Sequence, residues 1–391
     1  GVVQGVGLRP WAVRQARAHG LSGGIANATN AVCVTLEGES AAIEAWLADL
    51  ARTPPPGLVL ERLERRTVPP AGLRLECLER YAALPVGESG FRILPSLPAG
   101  PAAGLPPDIP VCISCLEEIY APEGRRSGYV FTHCASCGPR ASVLRALPWD
   151  RERTALAPFR LCAECRREYE DPDDRRYHAE GIACPACGPR LVARDAAGRA
   201  RESDPGARSA ADVAPAGDPV ACALAVINAG GIVAIKGYGG FHLAVDATNE
   251  EAVSRLRKRK GRPAKPLAVL VADLTIARTI VELSSADGAL LAGPLRPVVV
   301  ALQRPSGCAD LGIASGVAPT TSDHGLLLPS TPLQHLLLCA PLGDAMPRPR
   351  ALVLTSANRS GDPTLWDDAE ALRELASVAD LFLLHDRAVA R

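Results

Sequence analysis

Apolar positions recur at helical spacing over Trp11–His19 and again over Ala41–Ala51, and they alternate with polar positions over Ala31–Leu36. Those periods predict two amphipathic helices with a strand between them. Past residue 95 both periods stop. Residues 96–110, SLPAGPAAGLPPDIP, are rich in proline and glycine and predict a linker. Residues 111–190 carry cysteines at regular intervals, and a polar, glycine-containing stretch follows at 195–218. Beyond it, apolar runs such as Gly231–Ile235 and Leu267–Val271 alternate with helical patterns such as Glu250–Lys258, which predicts an α/β region. The expected division is an N-terminal domain at 1–95, a linker at 96–110, a cysteine region at 111–195 and an α/β domain at 205–391.

Composition narrows the function class. The 391 residues are 47% hydrophobic, and 43 Lys and Arg balance 43 Asp and Glu. A balanced chain with 4% aromatic residues is a poor general binder of nucleic acid or membrane surface, so any anion site must be a local cluster. No apolar run reaches the roughly 20 residues of a membrane helix, and no signal peptide is visible. Thirteen cysteines without an export signal are expected to be metal ligands or free thiols of a cytoplasmic protein. The chain opens on Gly1 inside a tight loop and closes on no recognisable element, so it reads as part of a longer protein.

The cysteines form a repeat. Cys112, Cys115, Cys134 and Cys137 recur 50 residues later as Cys162, Cys165, Cys184 and Cys187, each set as C-x2-C-x18-C-x2-C ending in CGPR. One tight turn presents two sulfurs to one ion, and two such turns complete a closed tetrahedral shell. A closed shell has no open position for water, so two structural Zn2+ ions are expected, with iron as the rival metal. Sequential and interleaved pairing of the quartets both remain open at this point.

GVVQGVGLRPW opens the chain. Gly5 and Gly7 permit a nest of backbone N–H groups ahead of a helix, and Arg9 adds a permanently charged fork that matches a phosphoryl group. Further on, GGIAN ends a short strand at Asn27. The two segments together resemble the acylphosphatase family, with Leu8 standing where that family usually has an aromatic residue. The resemblance implies a βαββαβ domain with its first strand largely missing. It further implies that Arg9 binds an acyl phosphate and Asn27 positions the attacking water.

In the α/β region Arg255, Arg257, Lys258, Arg259, Lys260, Arg262 and Lys265 crowd a helix-to-strand corner closed by Pro263 and Pro266. Such a corner suits a polyphosphate, although a solvated helix end is the commoner outcome of a charge run. Thr355-Ser356-Ala357-Asn358 follows the apolar run ALVL, placing hydroxyls and a carboxamide at a strand end. The segments KGRPAKPLAVLV, GGIVAIKGYGGFHLAVDAT and LTSANRSGDPT resemble the YrdC/Sua5 family. That resemblance implies a site for ATP with its Mg2+ at Lys260, Arg262, Lys265, Ser356 and Asn358, lined by Thr331 and its neighbours.

The order of these three regions, with DPDDRRYHAEGIACPACGPR and GGFHLAVDA, resembles the HypF-type carbamoyltransferases of [NiFe]-hydrogenase maturation. Ser330 and Gln334 stand where that family more often has tyrosine and histidine. The resemblance implies hydrolysis of carbamoyl phosphate, formation of carbamoyl adenylate from ATP, and transfer to the C-terminal cysteine of a HypE-type partner by a further domain that this chain lacks. Two other readings compete with it: a threonylcarbamoyl-AMP synthase for tRNA modification, and a zinc-ribbon scaffold.

Overall fold

The computed structural model describes residues 2–28, 31–65, 90–97, 106–199, 218–304, 311–339, 344, 346–358 and 362–390. Much of the expected linker (98–105) and of the polar stretch (200–217) lies outside the described residues. Two compact units emerge. The first comprises residues 1–112, 133–188 and 390–391, and the second comprises 113–132 and 189–389.

In the first unit, helix α1 (Leu8–Ala18) and helix α2 (Ser40–Arg52) accompany a three-stranded sheet of β1 (Ser22–Asn27), β2 (Val32–Glu37) and β3 (Phe91–Ile93). The sheet order is β2-β1-β3, with β1 antiparallel to β2 and parallel to β3. Ahead of α1, Val2 makes an isolated antiparallel bridge to Val59. The unit's core is aliphatic and aromatic: Leu8, Trp11, Ile25, Trp46, Leu50 and Phe91 belong to one buried cluster, with Trp11 and Trp46 edge-on at 5.3 Å. α1 starts earlier than its periodicity predicts. Gly7, at φ 79°, turns the chain into the helix, so Arg9 sits in the first helical turn and is buried.

The second unit begins with α3 (Ile113–Tyr120) and is built on eight strands: β4 (Leu191–Asp195), β5 (Val233–Lys236), β6 (Phe241–Asp246), β7 (Val269–Val271), β8 (Val299–Leu302), β9 (Asp323–Leu327), β10 (Ala351–Ser356) and β11 (Leu381–His385). Their order is β4-β11-β5-β6-β10-β7-β9-β8, mixed, with β5–β11 and β7–β9 the parallel pairs. The central strands are apolar on both faces, as strands covered by helices on both sides are. Helices α5 (Pro219–Asn228) and α6 (Glu250–Lys260) start at Asp218 and Asn249, whose side chains accept from backbone N–H groups of the first turn. β4, which the sequence places with the cysteines, pairs with β11.

Candidate functional sites

Each cysteine quartet closes on itself. The sulfurs of Cys112, Cys115, Cys134 and Cys137 all lie within 4.8 Å of one another, and so do those of Cys162, Cys165, Cys184 and Cys187. This settles the pairing left open by the spacing: it is sequential. The closest sulfur pairs are 3.8 Å apart in the first set and 3.7–3.8 Å in the second. A tetrahedron with metal–sulfur bonds of about 2.3 Å has edges of about 3.8 Å, so the donor sets fit a tetrahedral thiolate ion. The helix that carries the second cysteine of the later set, α4 (Ala163–Glu170), begins at Cys162, whose Sγ accepts from the Cys165 N–H at 3.5 Å.

In the first unit the phosphate-type loop and the cysteine modules share a cavity of about 20 Å3, on the scale of a water or two. Arg9 and Asn27 line it, as do Trp149, His178 and Glu180. Arg9 Nη2 donates to the Trp149 carbonyl at 2.8 Å and to Glu180 Oε1 at 2.7 Å, and its Nη1 reaches Asp150 Oδ1 at 3.2 Å. Asn27 Nδ2 donates to the same Trp149 carbonyl at 3.1 Å. Gln4, in the loop, accepts from the Trp149 N–H at 2.9 Å and donates to the carbonyls of Ala28 and Ala31. Arg140, at the end of the first CGPR, donates to the carbonyls of Gly5, Ala135 and Cys137 and lies over the Trp149 ring at 5.4 Å. The cysteine turn and the glycine loop are thereby tied by one guanidinium.

Charge in this cavity is tightly arranged. Glu180 is almost fully buried, and its Oε2 accepts from the Tyr169 hydroxyl at 2.8 Å and the Arg151 N–H at 3.1 Å. Burial pushes the Glu180 carboxyl above the usual carboxylate range, against the opposing pull of Arg9 and the Tyr169 hydroxyl. His178 is a non-glycine residue at φ 47°, a conformation often kept for functional positions. Its ring packs on Tyr169 and Tyr177, and burial together with Arg9 lowers its pKa to about 4, so it is neutral at physiological pH.

In the second unit the basic run at the end of α6 divides by role. Arg257 is structural: it donates to the carbonyls of Arg262, Lys265, Gly316 and Val317 and shapes the corner. Gly261, at φ 65°, then ends the helix. Lys260 turns to the end of β10, where Nζ donates to the Ser356 carbonyl at 2.7 Å and to the carbonyl and Oδ1 of Asn358 at 2.9 and 3.0 Å. Burial, with a smaller effect from Arg262, lowers its pKa to about 8. Arg262 reaches the Thr355 hydroxyl at 3.2 Å, and Ser356 Oγ donates to Asn358 Oδ1 at 2.8 Å. Arg262, Thr355 and Ser356 line a cleft of about 600 Å3, the size of a small-molecule site, together with His242, Thr321 and Asp323.

Family comparisons agree region by region. An acylphosphatase family model matches residues 1–71, a HypF finger model matches 111–144 and 161–193, and a Sua5/YciO/YrdC model described as telomere recombination matches 225–391. The chain is 43% identical to carbamoyltransferase HypF of Rhodobacter capsulatus, over 100% of this chain and 46% of that protein. Along its whole length the chain is similar to the HypF carbamoyltransferases. A probable carbamoyltransferase HypF of Methanocaldococcus jannaschii is 34% identical over the same shares. A crystal structure of full-length HypF superposes on the whole chain with a TM-score of 0.84 at 34% identity, covering 46% of that chain. The T. kodakarensis HypF crystal structure gives 0.80 at 34% identity, covering 45% of that chain. The chain thus spans about half the length of the HypF relatives it matches.

Among the residues singled out from sequence, Arg9 and Asn27 meet on one carbonyl, and Lys260, Arg262, Ser356 and Asn358 form one connected corner. Lys265 is exposed beside that corner. Thr331 is not among the residues lining the cleft and caps the helix α7 (Pro332–Leu338), its hydroxyl accepting from the Gln334 N–H at 3.2 Å while Gln334 Oε1 accepts from the N–H groups of Ser330 and Thr331. Sequence reasoning missed Trp149, Asp150, His178 and Glu180. The signal was present in RRYHAEGIAC, where a histidine and an acid precede the last cysteine pair. His242 likewise lies in GGFHLAVDA, on β6, and burial lowers its pKa below the ordinary histidine value.

Proposed function

We propose that this chain carries two of the reactions of a HypF-type carbamoyltransferase: hydrolysis of carbamoyl phosphate at Arg9 and Asn27, and adenylation of the resulting carbamate at Lys260, Arg262, Ser356 and Asn358. The observation that carries the reading is the convergence of Arg9 and Asn27 on the Trp149 carbonyl inside the loop cavity. Arg9 and the N–H groups of the glycine loop neutralise the phosphoryl oxygens, and the Asn27 carboxamide orients a water. The water attacks, inorganic phosphate forms, and carbamate leaves with the electron pair of the broken bond. Positioning and charge neutralisation are most of what such a transfer requires.

In the second cleft a carbamate oxygen attacks the α-phosphorus of ATP, with Mg2+ as the expected counter-ion, and pyrophosphate leaves. A crystal structure of full-length HypF is described as phosphate- and nucleotide-bound, which supports assigning phosphate and nucleotide to these sites. Two Zn2+ ions in the quartets hold the modules folded. The carbamoyl group then goes to the C-terminal cysteine of a HypE-type partner as a thiocarbamate, the precursor of the cyanide ligands of the [NiFe] centre. The test is exchange of labelled pyrophosphate into ATP. Exchange that depends on carbamoyl phosphate is expected. Exchange that depends instead on threonine and bicarbonate, or no exchange by folded protein with two zincs, would overturn the adenylation half.

A further inference from the structure

We propose that Glu180, with the Trp149 carbonyl, reads the amino group of the carbamoyl phosphate, so that the second cysteine module sets the substrate preference of the acylphosphatase-like site. The inference rests on the proposed hydrolysis and adds its specificity. Carbamoyl phosphate and acetyl phosphate differ by –NH2 in place of –CH3, groups of nearly equal size. Shape separates them poorly, and only hydrogen-bond acceptors facing the acyl carbon can tell them apart.

The cavity supplies such acceptors beside the phosphate-binding side chain. Glu180 Oε1 and the Trp149 carbonyl both lie within 2.8 Å of Arg9 Nη2. A carbamoyl phosphate that opens this cavity and binds Arg9 through N–H groups other than those of Nη2 brings its acyl substituent beside both acceptors. Glu180 is held in place. Its Oε2 is engaged by the Tyr169 hydroxyl and the Arg151 N–H, which directs Oε1 toward Arg9. The Arg151 guanidinium donates to the carbonyls of Glu180 and Ile182 at 2.7 and 2.9 Å, so the backbone beneath the carboxylate is braced too. An oxygen with two lone pairs can accept from Arg9 and from an amino hydrogen together. Val3, Leu8, Pro10 and Ala179 add apolar surface to the same wall, beside the polar Gln4, Asn27 and His178. A methyl group placed there would leave the carboxylate oxygen desolvated and one partner short.

The test compares kcat/KM for carbamoyl phosphate and acetyl phosphate in the wild-type chain, Glu180→Leu and Glu180→Gln, with zinc content as the folding check. A hydrogen bond to a charged acceptor corresponds to about 10- to 100-fold in preference. Glu180→Leu should lower the carbamoyl-to-acetyl ratio by at least about tenfold. Glu180→Gln, which keeps an acceptor oxygen, should hold the ratio within about fivefold of wild type. Equal loss on both substrates in Glu180→Leu would mean that Glu180 only holds Arg9, and would overturn the proposal. Wild-type protein that hydrolyses neither substrate would overturn the underlying reading instead. If Glu180→Leu loses its zinc, the wild type decides: phosphonoacetamide should inhibit at least about tenfold better than acetonylphosphonate, and equal inhibition refutes amino-group recognition.

Discussion

Arg9→Ala separates chemistry from stability in a way the structure makes quantitative. Arg9 is 7% exposed and spends both hydrogens of Nη2 on Trp149 and Glu180. Removing it deletes the proposed phosphate ligand, and loss of a charge-neutralising group of this kind costs about a thousandfold in kcat. It also strands the Glu180 carboxylate. Breaking a buried pair by deleting one partner costs about 3–5 kcal/mol. Here Tyr169 and the Arg151 N–H still hold Glu180, and its raised pKa makes neutralisation by a proton cheap, so the cost should fall near the lower end, about 3 kcal/mol. For a unit of this size that is a fall of about 6–12 °C in the midpoint of the transition assigned to the first unit. Arg9→Ala/Glu180→Gln removes the stranded charge, so it should recover most of that stability and none of the hydrolysis. The assays are phosphate release from carbamoyl phosphate and calorimetric melting with zinc content monitored. Retained hydrolysis in Arg9→Ala removes Arg9 from the mechanism. A double variant less stable than Arg9→Ala refutes the buried-charge argument.

Three further outcomes are expected. Cys184→Ser should lower bound zinc from two ions to one and abolish carbamoyl phosphate hydrolysis before ATP binding weakens, read by metal analysis and nucleotide titration. Lys260, with its pKa lowered to about 8, is half charged at pH 8. A bound polyphosphate favours the ammonium, so ATP binding should take up about half a proton at pH 8 and almost none at pH 6.5, measured by calorimetry in buffers of different ionisation enthalpy; no uptake at pH 8 would remove Lys260 from the phosphate contacts. Gly7→Ala forces a side chain onto φ 79° and brings a Cβ to 3.3 Å from the Ala135 carbonyl, so hydrolysis should fall with a loss of about 1 kcal/mol in stability, seen in phosphate release and denaturant titration.

The two N-terminal helices and the strand between them were legible because their apolar faces repeat over ten or more residues, and the cysteine quartets because their spacing is itself geometry. The boundary of α1 was not, since a left-handed glycine ahead of the apolar period starts it. The roles within the basic run were hidden as well. Arg257 and Lys260 look alike in sequence, and only the loop carbonyls around Arg257 and the strand end facing Lys260 separate a brace from a candidate ligand. β4 was obscured because LVARD has one fully buried position and borrows its register from β11, nearly two hundred residues later. Glu180 and Trp149 were missed for the same reason. They reach Arg9 across 171 and 140 residues, through packing that no local period records.

That long-range packing changes what the cysteine modules do. Their position between two phosphate-handling regions suggests a spacer, and a spacer would need only to be rigid. Yet Arg140, three residues after Cys137, holds the glycine loop through the Gly5 carbonyl, and Glu180, four residues before Cys184, faces Arg9. A metal shell that fixes Cys137 and Cys184 therefore fixes both a brace of the phosphate loop and an acceptor of the cavity. Such short segments bury too little apolar area to hold a carboxylate and two guanidiniums in register unaided, whereas metal binding contributes folding free energy where those side chains are anchored. The modules are on this view the second wall of the acylphosphatase-like site, and the βαββαβ domain is the first.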